Sequence, residues 1–211
     1  MGVRAQQCPL FTFHLSGGRL CLDFANTVSW RGSGEPVERL GSYADLVAWG
    51  RQTGGVTEPE ARRLLREGGR RPAAAARALS EAIRVREAIY RIFSNIVDGR
   101  SPAPADLATL NADLSDALSR LQVVGKGGEF AWQWRSEGEA LRSILWPVVR
   151  SAAELLASRD LGYLRKCAAE NCRWIFLDTT RNRSRRWCDM RVCGNRAKVR
   201  RHYQRLKRTR T

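Results

Sequence analysis

The 211-residue sequence predicts an α+β chain in two parts: a mostly helical N-terminal domain with short β-hairpins over residues 1–160, and a treble-clef-like zinc finger over 161–211. Three observations carry this. Apolar residues recur at helical spacing through most of the first part. Two stretches there alternate apolar and polar residues around glycine pairs, the pattern of hairpins. The last part holds two C-x4-C pairs, Cys167/Cys172 and Cys188/Cys193, fifteen residues apart. Two short loops lending two sulfurs each are what a tetrahedral metal ion needs.

Taken in order, FTFHLSGGRLCLDFANTV reads as a strand with Phe11, Phe13 and Leu15 on one face, a Ser-Gly-Gly turn, and a second apolar segment through Leu20, Leu22 and Phe24. Ser42 then caps a helix carrying Tyr43, Leu46 and Val47, which ends at Gly54-Gly55. Thr57-Glu58-Pro59-Glu60 has the form of a capping box, with the Thr57 hydroxyl and the Glu60 carboxylate exchanging hydrogen bonds with backbone amides. The longest helix spans about 72–98, with Pro72 in its first turn and a stripe of Leu79, Ile83, Ile89, Ile92 and Phe93. Another begins near Pro104 and runs through Leu107, Leu110 and Leu114. LQVV-GKGG-EFAWQW follows as a hairpin placing Phe130, Trp132 and Trp134 on one face. A helix over about Gly138 to Ser158 closes the domain, and Pro147 is expected to kink it.

In the C-terminal part, Arg173-Trp174-Ile175-Phe176-Leu177 reads as a strand and TTRNRS as a polar turn. Arg186-Trp187-Cys188 returns as a second strand, and Cys193 enters a helix. On that helix Val199, Tyr203 and Leu206 share one face, expected to pack on the hairpin. With four thiolates filling its coordination sphere, one Zn²⁺ there is structural and leaves no position for a catalytic water. The Zn(Cys)4 unit carries a net charge of about −2, which nearby arginines and amides stabilise; Arg191 is a candidate for that role alone. Trp174 and Trp187 are candidates to flank the metal or stack on a base.

Charge is concentrated in the same place. Residues 1–160 carry 21 Lys/Arg against 18 Asp/Glu, whereas residues 161–211 carry 16 against 3. After Asp189 no acidic residue remains. A solvated helix normally mixes signs to gain i,i+4 pairs. One made of Arg196, Lys198, Arg200, Arg201, Arg205, Lys207 and Arg208 repels itself and calls for a polyanion.

No export signal or 18-residue apolar window is visible, so a cytoplasmic location without membrane partners is expected. Paired cysteines in a reducing compartment bind metal rather than form disulfides. Cys8 and Cys21 stand apart as ordinary buried thiols. No nucleophile–base pair or glycine-rich phosphate loop is evident, so no enzymatic activity is expected. The lone His14 of the larger domain reads as structural.

The finger sequence, with C-x4-C, WIFLDTTRNRSRRWC and CGNRAKVRRHYQR, resembles the bacterial CGNR zinc-finger family, whose four eponymous residues match Cys193-Gly194-Asn195-Arg196. GGRLCLDFANTV with Arg31 resembles the ABATE domain that usually precedes that finger, described as a stress-induced transcription regulator. The resemblance implies a zinc-dependent DNA-binding module with Cys167, Cys172, Cys188 and Cys193 as ligands, and a transcriptional role. On this reading Arg196, Lys198, Arg200, Arg201 and Arg205 of the helix meet DNA while Arg181, Arg183, Arg185 and Arg186 contact phosphates. RNA is the alternative partner, and an enzyme with its site in the helical domain is the less favoured one. The larger domain would sense a small-molecule effector or form a homodimer. Asp23, Asn26 and Arg31 make a polar ligand pocket on one reading and satisfy nearby backbone groups on the other; the second is favoured.

Overall fold

The computed structural model describes residues 12–135 and 140–208. Its helices are α1 (Leu20–Ala25), α2 (Tyr43–Gln52), α3 (Glu58–Arg70), α4 (Pro72–Val97), α5 (Pro104–Ser119), α6 (Trp146–Leu156) and α7 (Asn195–Arg208). Three two-stranded antiparallel ribbons accompany them: β1 (Val28–Ser29) with β2 (Val37–Glu38), β3 (Leu121–Lys126) with β4 (Glu129–Trp134), and β5 (Leu164–Lys166) with β6 (Ile175–Leu177).

The short α1 sits at the centre. Cys21, Leu22, Phe24 and Ala25 are all fully buried, between α4 on one side and α6 on another, with Phe24 tilted against Trp49 of α2 at 4.9 Å between ring centroids. This corrects the expected N-terminal hairpin: residues 12–19 form no strand, and the second apolar segment is helical. A six-residue helix with four residues fully buried and Asp23 turned to the Gly17 amide is too short to show either period. Phe11 and Cys8 lie outside the described residues, as does Gly138. Cys21 is an inert core thiol, which burial pushes up to about 12.

Other elements follow their local signals. Ser42 caps α2 by accepting from the Asp45 amide, and the Thr57–Glu60 capping box is formed in full. Helix α4 buries Ala78, Ala82, Val85, Ile89, Ile92 and Phe93. Hairpin β3–β4 turns through Gly127 and Gly128, both at positive φ, as a two-residue turn requires. Its expected aromatic face divides: Trp134 tilts against Trp146 at 5.9 Å, while Phe130 and Trp132 are 81% and 62% exposed. Pro147 does not kink a long helix. Residues Ala140–Leu145 form a 3-10 turn and α6 begins at Trp146, so the proline occupies the first turn, where its missing N–H costs nothing.

Arg86 on α4 is a buried cation. Its guanidinium grips Glu38 at 2.6 and 2.7 Å and Glu87 at 2.9 Å, and donates to the Thr27 hydroxyl at 3.3 Å. Arg31 joins the same network, forming a bidentate pair with Glu87 and lying 4.0 Å over the Tyr90 ring. Together these charges fasten the segment after α1 to the longest helix.

Candidate functional site

Segment 26–32 is where the two parts of the chain meet. Asn26 is buried and its amide clasps the backbone of Ile175 in β6: Nδ2 donates to the Ile175 carbonyl at 2.8 Å and Oδ1 accepts from the Ile175 amide at 3.1 Å. Nearby, the indole N–H of Trp174 donates to the Val28 carbonyl at 2.7 Å, and the Gly32 amide donates to the Asn171 carbonyl at 3.1 Å. Any Cβ at Gly32 would lie 2.4 Å from the Glu170 carbonyl, so only glycine permits this approach. Gly17 also touches the finger, its carbonyl accepting from the Leu177 amide at 2.9 Å. The GGRLCLDFANTV pattern thus encodes a seam.

Strand β6 belongs to both cores. Ile175 and Leu177 pack into the large hydrophobic core with Leu164, while Phe176 points the other way, into a small cluster made of the four cysteines and Trp174, with Trp187 packed against it. The partner of β6 is β5, in register Leu164↔Leu177, and not residues 186–188 as the sequence suggests. Arg186 contributes a single ladder-like bond, accepting from the Ala168 amide at 2.8 Å. Cys167 and Cys172 therefore lie in the connection between paired strands, and Cys167 N–H donates to the Trp174 carbonyl at 2.8 Å.

The polar loop after β6 is organised by Asp178, which accepts from the Thr180 amide at 3.1 Å and the Arg185 amide at 2.9 Å. It delivers Cys188. Asp189 then caps a wide turn, Met190–Gly194, accepting from the Arg191 and Val192 amides, and this turn places Cys193 two residues before α7.

All four sulfurs lie within 4.8 Å of one another and all four residues are buried. Cys188 Sγ stands 3.6 Å from Cys172 Sγ and 3.7 Å from Cys193 Sγ. A tetrahedron with Zn–S bonds of about 2.3 Å has edges of about 3.8 Å, so the spacing fits zinc. No disulfide joins them. Four thiolates this close repel one another unless a cation sits among them. Hydrogen bonding from Cys172 holds the Cys167 thiol far below its usual range, and the bond to Cys167 pushes Cys172 and Cys188 far up. A divalent cation removes the conflict by taking four thiolates at once. The amides of Cys188 and Trp174 support the sulfurs of Cys167 and Cys172. The set is all sulfur and closed, so the ion supplies folding energy rather than a reactive water.

The arginines around this centre differ in their engagements. Arg185 is a strut: it donates to the carbonyls of Trp187 (3.0 Å), Ser16 (3.3 Å) and Cys188, and lies 4.4 Å over Phe176. Arg183 adopts positive φ and sits 3.7 Å over Tyr163. Arg196 lies 4.1 Å over Trp30, itself at φ 60°, and Arg200 pairs with Glu170. Arg181, Lys198, Arg201 and Arg205 are exposed on the outer surface. Arg186, Arg196, Arg200 and Arg201 line one groove of about 310 Å³ beside Trp187.

Helix α7 does not pack as expected. Val199 and Tyr203 are 53% and 62% exposed, because both faces of the β5–β6 ribbon are already covered by α1, α4 and the metal cluster. The Leu206 side chain lies outside the described residues. The helix is held at its first turns, by Cys193, Arg196 on Trp30 and Arg200 with Glu170.

Of the three residues proposed to line a polar pocket, Arg31 is spent on Glu87 and the Ala25 carbonyl. Asp23 accepts from the Gly17 amide at 2.8 Å, and burial pushes its carboxyl up. Asp23 and Asn26 serve the backbone, yet both also line a cleft of about 280 Å³ at the seam. Sequence reasoning missed that cleft's other residues, among them His14, Trp30 and Arg39. His14 Nε2 pairs with Asp189 at 3.0 Å, and its ring stacks on Trp174.

Replacing Asn26 by Ala should cost about 3 kcal/mol, since it strands a buried N–H and a buried C=O on β6. The shift in the denaturant midpoint at unchanged slope measures it. A loss under about 0.5 kcal/mol, the level of an ordinary surface substitution, would show that the clasp is idle.

Fold and site together define a zinc-binding protein in which a four-cysteine finger is locked onto a helical domain. The chain belongs to the ABATE family, "Putative stress-induced transcription regulator", whose model matches residues 18–159, about two thirds of its length. The CGNR zinc finger model matches residues 163–206. No curated protein matched the chain. No helix among the described residues is long and apolar enough to cross a membrane.

Proposed function

We propose that the protein is a transcription regulator that binds duplex DNA through the zinc-folded basic module and catalyses no reaction itself. The observation that carries this reading is α7: Arg196, Lys198, Arg200, Arg201 and Arg205 are all exposed on a helix containing no acidic residue, and Arg200 pairs with Glu170. That pair is fully at the surface and worth at most about 1 kcal/mol, so it yields readily to phosphate. Arg186 lines the same groove as Arg196, Arg200 and Arg201, and Arg181 is exposed on the loop after β6. Arg185 is left out of the contact set, because its guanidinium is consumed by carbonyls and the Phe176 face.

Most of these cations would bind phosphates and supply affinity without reading sequence. Any base reading falls to α7, where arginine can bond bidentately to guanine. The helical domain acts as the responding part, through a small effector or through pairing of two chains.

Fluorescence polarisation against duplex DNA at several salt concentrations tests this. With about five phosphates neutralised, the slope of log K against log salt should be about −4.5. A flat response would end the proposal. Preferential capture of single-stranded RNA in competition would transfer the same surface to RNA.

A further inference from the structure

The seam cleft touches the finger and the helical domain at once. Its floor and walls are aromatic and apolar: Phe13, Trp30 and Trp174, with Val192 and the buried sulfur cluster beneath. Its volume of about 280 Å³ falls just below the usual range of small-molecule sites, roughly 300 to 1,000 Å³, which restricts it to a small guest. The charged groups around it are unevenly engaged. Asp189 is held by His14 and two backbone amides, and Asp23 by the Gly17 amide. Arg39 bonds Ser29 through Nε at 3.1 Å. Arg196 has only the Trp30 face, with no carboxylate partner among the described residues. The cleft thus offers aromatic surface for a ring and a guanidinium for a negative group.

We propose that this cleft binds a small planar aromatic carboxylate, its ring among Phe13, Trp30 and Trp174 and its carboxylate on Arg196, and that occupancy withdraws Arg196 from DNA. The second clause rests on the DNA-binding reading; the first does not.

Each part of the ligand follows from the site. A cation would face Arg196 and Arg39 together. A nucleotide would need several donors for each phosphate and more room than the cleft gives. A carboxylate matches the planar fork of one arginine. The ring satisfies walls that a purely polar ligand would leave wet. Trp30 and Arg196 also form the rim shared with the neighbouring basic groove, so a guest bound on one side alters the surface presented on the other. Trp30 keeps a left-handed backbone at this point, a conformation that costs a bulky residue energy and recurs at ligand clamps.

The test uses the full, zinc-loaded chain with 2-naphthoate as probe, 2-naphthamide as its uncharged counterpart and acetate as the ringless one, read by calorimetry and by tryptophan fluorescence. Saturable binding of 2-naphthoate is expected, with the amide and Arg196→Gln each weakening it by about tenfold or more. Trp30→Phe, which keeps a ring, should weaken it less than Trp30→Ala, and zinc content and melting temperature verify that each variant is folded. No saturable binding, equal binding of amide and acid, or wild-type affinity in Arg196→Gln would overturn the site. In a separate arm, saturating 2-naphthoate should lower the salt slope of DNA binding by about 1; an unchanged slope would overturn the coupling. A chain that binds the probe but no DNA would instead refute the DNA reading and leave the ligand site standing.

Discussion

Cys188→Ser abolishes zinc binding and unfolds the finger. Cys188 is the hub of the cluster, its sulfur lying 3.6 and 3.7 Å from those of Cys172 and Cys193. A structural zinc contributes about 10–16 kcal/mol of apparent folding free energy in isolated fingers. Whole domains are stable by only about 5–15 kcal/mol, so nothing else in residues 161–208 can compensate. The small core of Phe176, Trp174 and four thiols is too slight to hold without the ion. The damage should also reach the helical domain. Leu164, Ile175 and Leu177 belong to the large core and Asn26 is clasped to Ile175, so losing the finger strips one side from α1. The variant should therefore lose the near-ultraviolet signal of its finger tryptophans, and its remaining transition should occur at a lower temperature. A metal-free Cys188→Ser chain with a native spectrum would contradict this.

The second large effect follows from the proposed DNA-binding reading. Arg181, Lys198 and Arg201 are exposed, and no guanidinium–carboxylate or ammonium–carboxylate pair holds them among the described residues. Replacing all three by Gln should leave zinc content and melting temperature unchanged. At about 1 kcal/mol per contact, affinity for duplex DNA should fall about a hundredfold. The salt slope should drop from about −4.5 to about −2, as three phosphate contacts disappear. An unchanged slope would place the nucleic-acid surface elsewhere. The conservative variant Arg185→Gln provides the contrast: it should destabilise the loop carrying Cys188 rather than act on the slope.

What was legible in the sequence were features whose chemistry is local. The cysteine spacing announces a metal whatever surrounds it, and the Thr57 box, the long α4 stripe and the Gly127-Gly128 turn each require only neighbours in the chain. What was hidden depends on partners far away. Helix α1 is too short to show a helical period and owes its burial to distant elements, so Leu20–Ala25 reads as a continuation of the strand pattern. Leu164–Lys166 has no strand pattern, yet it captures β6 because Leu164 and Leu177 meet in the larger core. That pairing leaves the α7 stripe of Val199 and Tyr203 with nothing to cover. Arg86 gave no sign of being buried, since its partners Glu38 and Glu87 are revealed only by folding. The cleft draws on residues near 13, 23–30, 174 and 189–196, and no spacing rule joins such segments.

The central claim is that a sulfur-bound ion folds an arginine-laden segment into a rigid surface docked on the helical domain. Elemental analysis of the fully reduced, purified chain, before and after chelation, tests it most directly. The account predicts one zinc per chain, with chelation removing both the metal and the folded signature of the finger. Full folding of that segment with no transition metal bound would contradict it.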